Sequence, residues 1–241
     1  MIELAADHEG RRVVDGPTRV AAVLMAAAVV GAPIAAAGWF ALCPQYGNPS
    51  CPSSADPAGA MTAFQTAPPA LLDLFLLLNL VVPYLMPLSI LALAIVAWRG
   101  SSRFALVGSI AGWLGAIPWG FFSLAVFQAV AAIHVSQSSS YPAVVSAAFG
   151  DWHLLAVATG WVLGHLLGYL LLAFALLRVR GFPTWAGATI AVAVPVIGPV
   201  AYGSGLGALQ VAGYVAIAIA SIPVARALLA RGDPAANAVI A

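Results

Sequence analysis

Six long apolar segments dominate the chain, at 20–42, 70–98, 104–133, 152–177, 184–202 and 208–230, and each holds at least eighteen consecutive residues without Asp, Glu or Arg. About 20 such residues, wound as a helix, cross the hydrocarbon core of a bilayer. The pattern therefore predicts an all-α polytopic bundle of six transmembrane helices. The second and third segments exceed what a bilayer requires, so they must tilt, kink or project past the headgroups. No polar linker is long enough to divide the bundle, so 20–230 is expected as one transmembrane domain between terminal segments 1–19 and 231–241. The first twenty residues are mostly polar and no short apolar run precedes the first span, so that span is expected as an uncleaved anchor.

Charge supplies the orientation. Arg11, Arg12 and Arg19 precede the first span, Arg99 and Arg103 join the second to the third, Arg178 and Arg180 join the fourth to the fifth, and Arg226 and Arg231 end the sixth. All nine fall on one side, which the positive-inside rule makes cytoplasmic, and both termini go with them. The segments 43–69, 134–151 and 203–207 are then outer connections. The first reads as a loop from its proline, serine and glycine content, and the last as a tight turn.

Composition narrows the function classes. With 63% hydrophobic and 7% charged residues and a mean hydropathy of +1.01, the chain cannot cover a water-facing surface, and it is neither a disordered chain nor a disulfide scaffold. A formal net charge of +1 offers no basic face to nucleic acid. There is no lysine, which removes a retinal Schiff base, a P-loop and a lysine nucleophile.

Cys43 and Cys51 are the only cysteines, with Gly47-Asn48-Pro49 between them to favour a turn. On the outer side such a pair is expected as a structural disulfide. A redox centre usually shows Cys-x-x-Cys or a second pair, and neither is present. Asp73, His134, Asp151 and His153 all fall near the outer face, where a carboxylate-histidine group suits metal or acid-base chemistry. Helix polarity offers a plainer account. Asp73 sits early in the second span, Asp151 is placed as the N-cap of the fourth, and His134 follows the C-terminal end of the third. No His-x-x-x-His or similar spacing marks a metal site, and Phe149-Gly150-Asp151 lacks the first glycine of the intramembrane aspartyl protease motif.

His165 lies almost midway along the fourth span, where an ionisable side chain is costly and normally faces the bundle interior. Trp161, His165 and Tyr169 share a stripe at four-residue spacing, and Gly160, Gly164 and Gly168 form a glycine zipper beside it. One reading makes His165 a packing residue hydrogen-bonded to Tyr169, a backbone carbonyl or an amide such as Asn79. The other makes it part of a ligand or proton site. In the second span Asn79, Pro83 and Pro87 align with Tyr84 alongside, and Pro118, Pro195, Pro199 and Pro223 offer further points where helices break or kink. Gly108, Gly112 and Ala116 repeat the small-residue pattern in the third span. A b-type haem is not expected. His153, twelve residues from His165 on the same helix, lies about 18 Å away along it and cannot share an iron with it.

The stretch from Gly164-His165-Leu166-Leu167-Gly168-Tyr169 through Arg178-Val179-Arg180-Gly181-Phe182-Pro183-Thr184-Trp185-Ala186-Gly187 resembles a segment of uncharacterised multi-pass membrane proteins of high-GC bacteria. There a glycine-rich helix ends in an arginine and Pro-x-Trp-Ala opens the next helix. The resemblance implies a small six-helix protein of a bacterial inner membrane and carries no activity, cofactor or catalytic residue with it.

The resulting expectation is a non-enzymatic membrane protein that carries or senses a small apolar ligand, or serves in a homo-oligomer or larger membrane complex. Its ligand-binding candidates are His165, Tyr169, Trp161, Asn79 and Tyr84. An enzyme built on Asp73, His134, Asp151 and His153 is the alternative, and a redox subunit the third.

Overall fold

A bilayer offers no water to the backbone, so each crossing segment must satisfy its own N–H and C=O groups, and a helix does this within one segment. The computed structural model describes residues 16–42, 57–134, 140, 143, 147, 151–202 and 207–231, and among these there is no strand. The helices are α1 (Gly16–Leu42), α2 (Pro57–Thr66), α3 (Pro69–Ala97), α4 (Ser102–His134), α5 (Trp152–Leu176), α6 (Thr184–Pro195) and α7 (Gly207–Arg231). A π-helical segment, Val196–Tyr202, continues directly from α6. Five helices, α1, α3, α4, α5 and α7, are long and apolar enough to cross a membrane, and α6 is a shorter apolar helix. This architecture fits a multi-pass membrane protein.

The apolar helices form a closed cycle of contacts, with α3 also touching α5 and α7. Each packs on the next in chain order, α1 on α3, α3 on α4, α4 on α5, α5 on α6 and α6 on α7, and α7 returns to α1. Between α4 and α5 the backbones themselves meet. A Cβ on Gly168 would lie 2.5 Å from Gly112 Cα, and one on Gly164 would lie 2.6 Å from Gly115 Cα, so neither position admits even a methyl group. Such contact gives dense dispersion between helices where no hydrophobic effect drives them together. Of the three glycines of the expected zipper, only two work this way, since Gly160 meets no neighbour within 4 Å among the described residues.

Two expectations are corrected. The connection 43–69 is not loop throughout, because Pro57–Thr66 is helical and buries Met61 and Phe64, with Phe64 6.0 Å from the Phe75 ring of α3. Its prolines and serines lie mostly before the helix, and they obscure the short apolar i, i+3 pair. The prolines also break less than expected. Pro33, Pro83, Pro87, Pro118 and Pro223 lie inside continuous α-helices. Among the described residues, only the stretch that follows Pro195 and holds Pro199 leaves α geometry within an apolar span. Pro83 and Pro87 have the same four-residue spacing, so spacing alone does not widen a helix; the later pair adds Gly198, which has no side chain to hold the turn.

At one end of the bundle two connections touch. A Cβ on Gly100 would stand 2.8 Å from Val179 N, and the Arg178 guanidinium sits over the Phe104 ring at 4.7 Å. The arginine-bearing turns between α3 and α4 and between α5 and α6 thus lie side by side.

Candidate functional site

Polar atoms in so apolar an interior concentrate in two places. The first is a knot joining α1, α3 and α4. Trp39 Nε1–H donates to Asn79 Oδ1 at 3.0 Å, Asn79 Nδ2 donates to the Ser123 carbonyl at 3.0 Å, and Ser123 Oγ donates to the Asn79 carbonyl at 3.0 Å. Asn79 and Ser123 are buried, so the amide's donor and acceptor are both engaged where solvent cannot substitute. The Trp39 ring lies 5.5 Å from Phe75 and 5.9 Å from Trp119, which carries the knot into an aromatic cluster. Asn79, expected among the ligand-binding residues, is engaged in this knot and does not line the cavity beside His165. Tyr84 is 70% exposed on the outer surface of α3, because the turn that buries Asn79 and Val82 directs it outward.

The second place is a cavity of about 50 Å³ on the stripe of α5 beside the glycine contact. Trp161, His165 and Tyr169 line it from α5, facing Val194 of α6, Ile197 of the π-helical segment and Tyr214 of α7, with Pro33 of α1 also in the wall. Three of the five expected ligand-binding residues therefore meet. Four-residue spacing on one helix places them together, and Trp119 packs behind two of them, its ring 5.8 Å from Trp161 and 6.1 Å from His165. Tyr169 OH donates to Met86 Sδ at 3.6 Å, and Tyr214 stacks on Phe40 at 5.5 Å.

His165 does not bond Tyr169 or Asn79. Its Nδ1 lies 2.9 Å from the Trp161 carbonyl oxygen, one turn back along the same helix. A carbonyl only accepts, so Nδ1 must carry the proton and donate. In the neutral ring Nε2 is then a bare acceptor, and this atom is buried with no hydrogen-bond partner among the described residues. Gln210 Nε2, an amide donor in the first turn of α7, is likewise buried with no hydrogen-bond partner among the described residues. The sequence alone gave no reason to single out Gln210, nor Tyr214, Val194, Ile197 and Pro33.

The group of Asp73, His134, Asp151 and His153 is only partly assembled. Asp151 is the N-cap of α5, as expected. Its Oδ1 accepts from His153 N at 2.8 Å and lies 2.7 Å from His153 Nδ1, and the Trp152 ring covers the imidazole at 3.7 Å. Both side chains are more than half exposed. Asp73 is exposed on α3 and takes no part in this pair. His134 ends α4, and its side chain lies outside the described residues, as do Cys43 and Cys51. Among the described residues no three His, Cys, Asp or Glu side chains converge on a metal-sized space. No protein family, no curated protein and no solved structure matches the chain.

Proposed function

We propose that this is a non-enzymatic multi-pass protein of a bacterial inner membrane that binds a small, largely apolar molecule in the cavity beside His165. One observation carries the reading: an imidazole acceptor, costly at membrane depth, lines an apolar cavity and has no protein partner among the described residues. A residue kept only for packing would be expected to satisfy both ring nitrogens. The interior position follows from α5, in which His165 stands about 20 Å of helix from Trp152 and about 16 Å from Leu176. The test is mass spectrometry of what copurifies with the unmutated chain. A stoichiometric small apolar molecule, lost when Ile217→Trp fills the cavity, is the expected result; a wild-type protein that carries nothing and binds no added apolar molecule overturns the reading.

The proposal includes six crossings with both termini in the cytoplasm. The twelve residues of α6 and the seven of the π-helical segment run on without a gap, which suffices for a sixth short span. The adjoining turns at Gly100 and Val179 support one shared side for Arg99, Arg103, Arg178 and Arg180. Cysteines introduced at Gly100 and Gly181, in a chain lacking Cys43 and Cys51, should be shielded from an impermeant external reagent, and one at Ser204 should react. Labelling of the first two in intact cells would reverse the orientation. With 43–69 outside, Cys43 and Cys51 form a disulfide that shows no free thiol until reduced.

A further inference from the structure

If the cavity is a binding site, the bond geometry around His165 constrains its ligand beyond being apolar; the inference rests on that reading. Nδ1 is committed as a donor to the Trp161 carbonyl at 2.9 Å, so the imidazole has only its Nε2 lone pair to offer. No carboxylate is among the described buried residues, and an unpaired charge at this depth is strongly disfavoured. The neutral ring, with an accepting Nε2, is therefore the form a ligand meets. Neither wall tyrosine meets this need: Tyr169 directs its hydroxyl to Met86, and no hydrogen bond joins His165 to Tyr214 among the described residues.

We infer that the cavity takes an apolar molecule carrying a hydrogen-bond donor, a hydroxyl or an N–H, which it gives to His165 Nε2. A molecule offering only acceptors, such as an ether, ester or ketone, leaves the lone pair opposed by another lone pair. Water alone is a poor occupant, because a bound water needs two to four polar partners and the walls are otherwise largely apolar side chains. The space is several times what one water requires but smaller than the roughly 150 Å³ that holds a benzene, so it seats only part of an alicyclic or branched group. Val162, the exposed residue of the lining, marks the side on which the rest of a longer molecule passes out along the helix surface.

A matched series separates the donor requirement from apolar binding in general. The full-length chain in detergent is titrated with cyclohexanol, its methyl ether methoxycyclohexane, and methylcyclohexane. Tryptophan emission is followed, and concentrations are corrected for partition into the micelle. One donated hydrogen bond in a dry site predicts that cyclohexanol binds roughly five- to tenfold more tightly than the ether. His165→Phe should bring the alcohol down to the ether's level and leave methylcyclohexane unchanged. In unmutated chain labelled with 15N-histidine, one Nε2 resonance of the four histidines should move with the alcohol and none with the ether. Equal binding of alcohol and ether by wild type overturns the donor requirement while leaving an apolar binding site in place. Failure of all three to bind overturns the site itself. Should His165→Phe not fold, an unmoved Nε2 resonance in the presence of bound cyclohexanol overturns the inference on the native chain.

Discussion

Two faces of α5 are built on opposite principles although their residues interleave. On one, Gly164 and Gly168 bring the helix so close to α4 that a Cβ would sit 2.5 to 2.6 Å from backbone atoms of Gly112 and Gly115. On the other, Trp161, His165 and Tyr169 stand off from α6 and α7 around a cavity of about 50 Å³. The first face is continuous van der Waals contact; the second forgoes such contact and keeps an unpaired acceptor. A void of this size costs on the order of 1 kcal/mol. On the proposed function, stability and binding divide along a single helix, and substitutions should separate them.

The largest effect should come from closing the tight face. Gly168→Leu must push α4 and α5 apart along their backbones, and we expect a loss of about 3 kcal/mol or more, read as a fall in melting temperature of about 10 °C or as failure to purify a folded chain. If Gly168→Leu melts within a degree or two of wild type, the glycine contact is not what holds α5. Next comes the Trp39–Asn79–Ser123 knot, which lines neither face. Asn79→Leu leaves Trp39 Nε1–H without its acceptor in a dry core, at a cost of about 2 kcal/mol, and should lower the melting temperature by about 5 °C without changing the preference for cyclohexanol over its ether.

On the open face the order reverses. His165→Leu removes an unpartnered acceptor together with one bond to a carbonyl, so stability should stay within about 1 kcal/mol of wild type, while the copurifying molecule is lost. A melting temperature depressed as far as in Gly168→Leu, with no bound molecule in either protein, would make His165 a packing residue and erase the contrast. The smallest effect belongs to Gly160, which has space around it on α5. Gly160→Ala should be neutral or raise stability by about 0.5 to 1 kcal/mol through helix propensity alone, measured as a melting shift of a few degrees at most. Placed beside Gly168→Leu, it separates crowding from the mere loss of a glycine.

The range of the forces involved decides how much of this was legible in the sequence. The segments 70–98, 104–133 and 152–177 match Pro69–Ala97, Ser102–His134 and Trp152–Leu176 to within a few residues, because apolar length is a local property that the bilayer reads directly. The Asp151 cap was equally local, as was the stripe of Trp161, His165 and Tyr169, set by the 3.6-residue repeat. The His165 partner was within reach of the same logic: a carbonyl four residues earlier is adjacent on any helix, and a backbone carbonyl stood among the expected partners beside Tyr169 and an amide. Helix α2 was hidden because ten residues with two buried side chains make too weak a periodic signal beside proline and serine. The rest was decided only in three dimensions. Whether Asn79 faces Trp39 or His165, and that Val194, Ile197, Tyr214 and Pro33 line one cavity with the imidazole, depend on the rotation of each helix about its axis. Apolar side chains are interchangeable to the membrane, so composition places the helices in the bilayer without fixing that rotation. It is fixed by where backbones can touch, at Gly164 and Gly168, and by the few polar atoms that must find one another, at Trp39, Asn79 and Ser123.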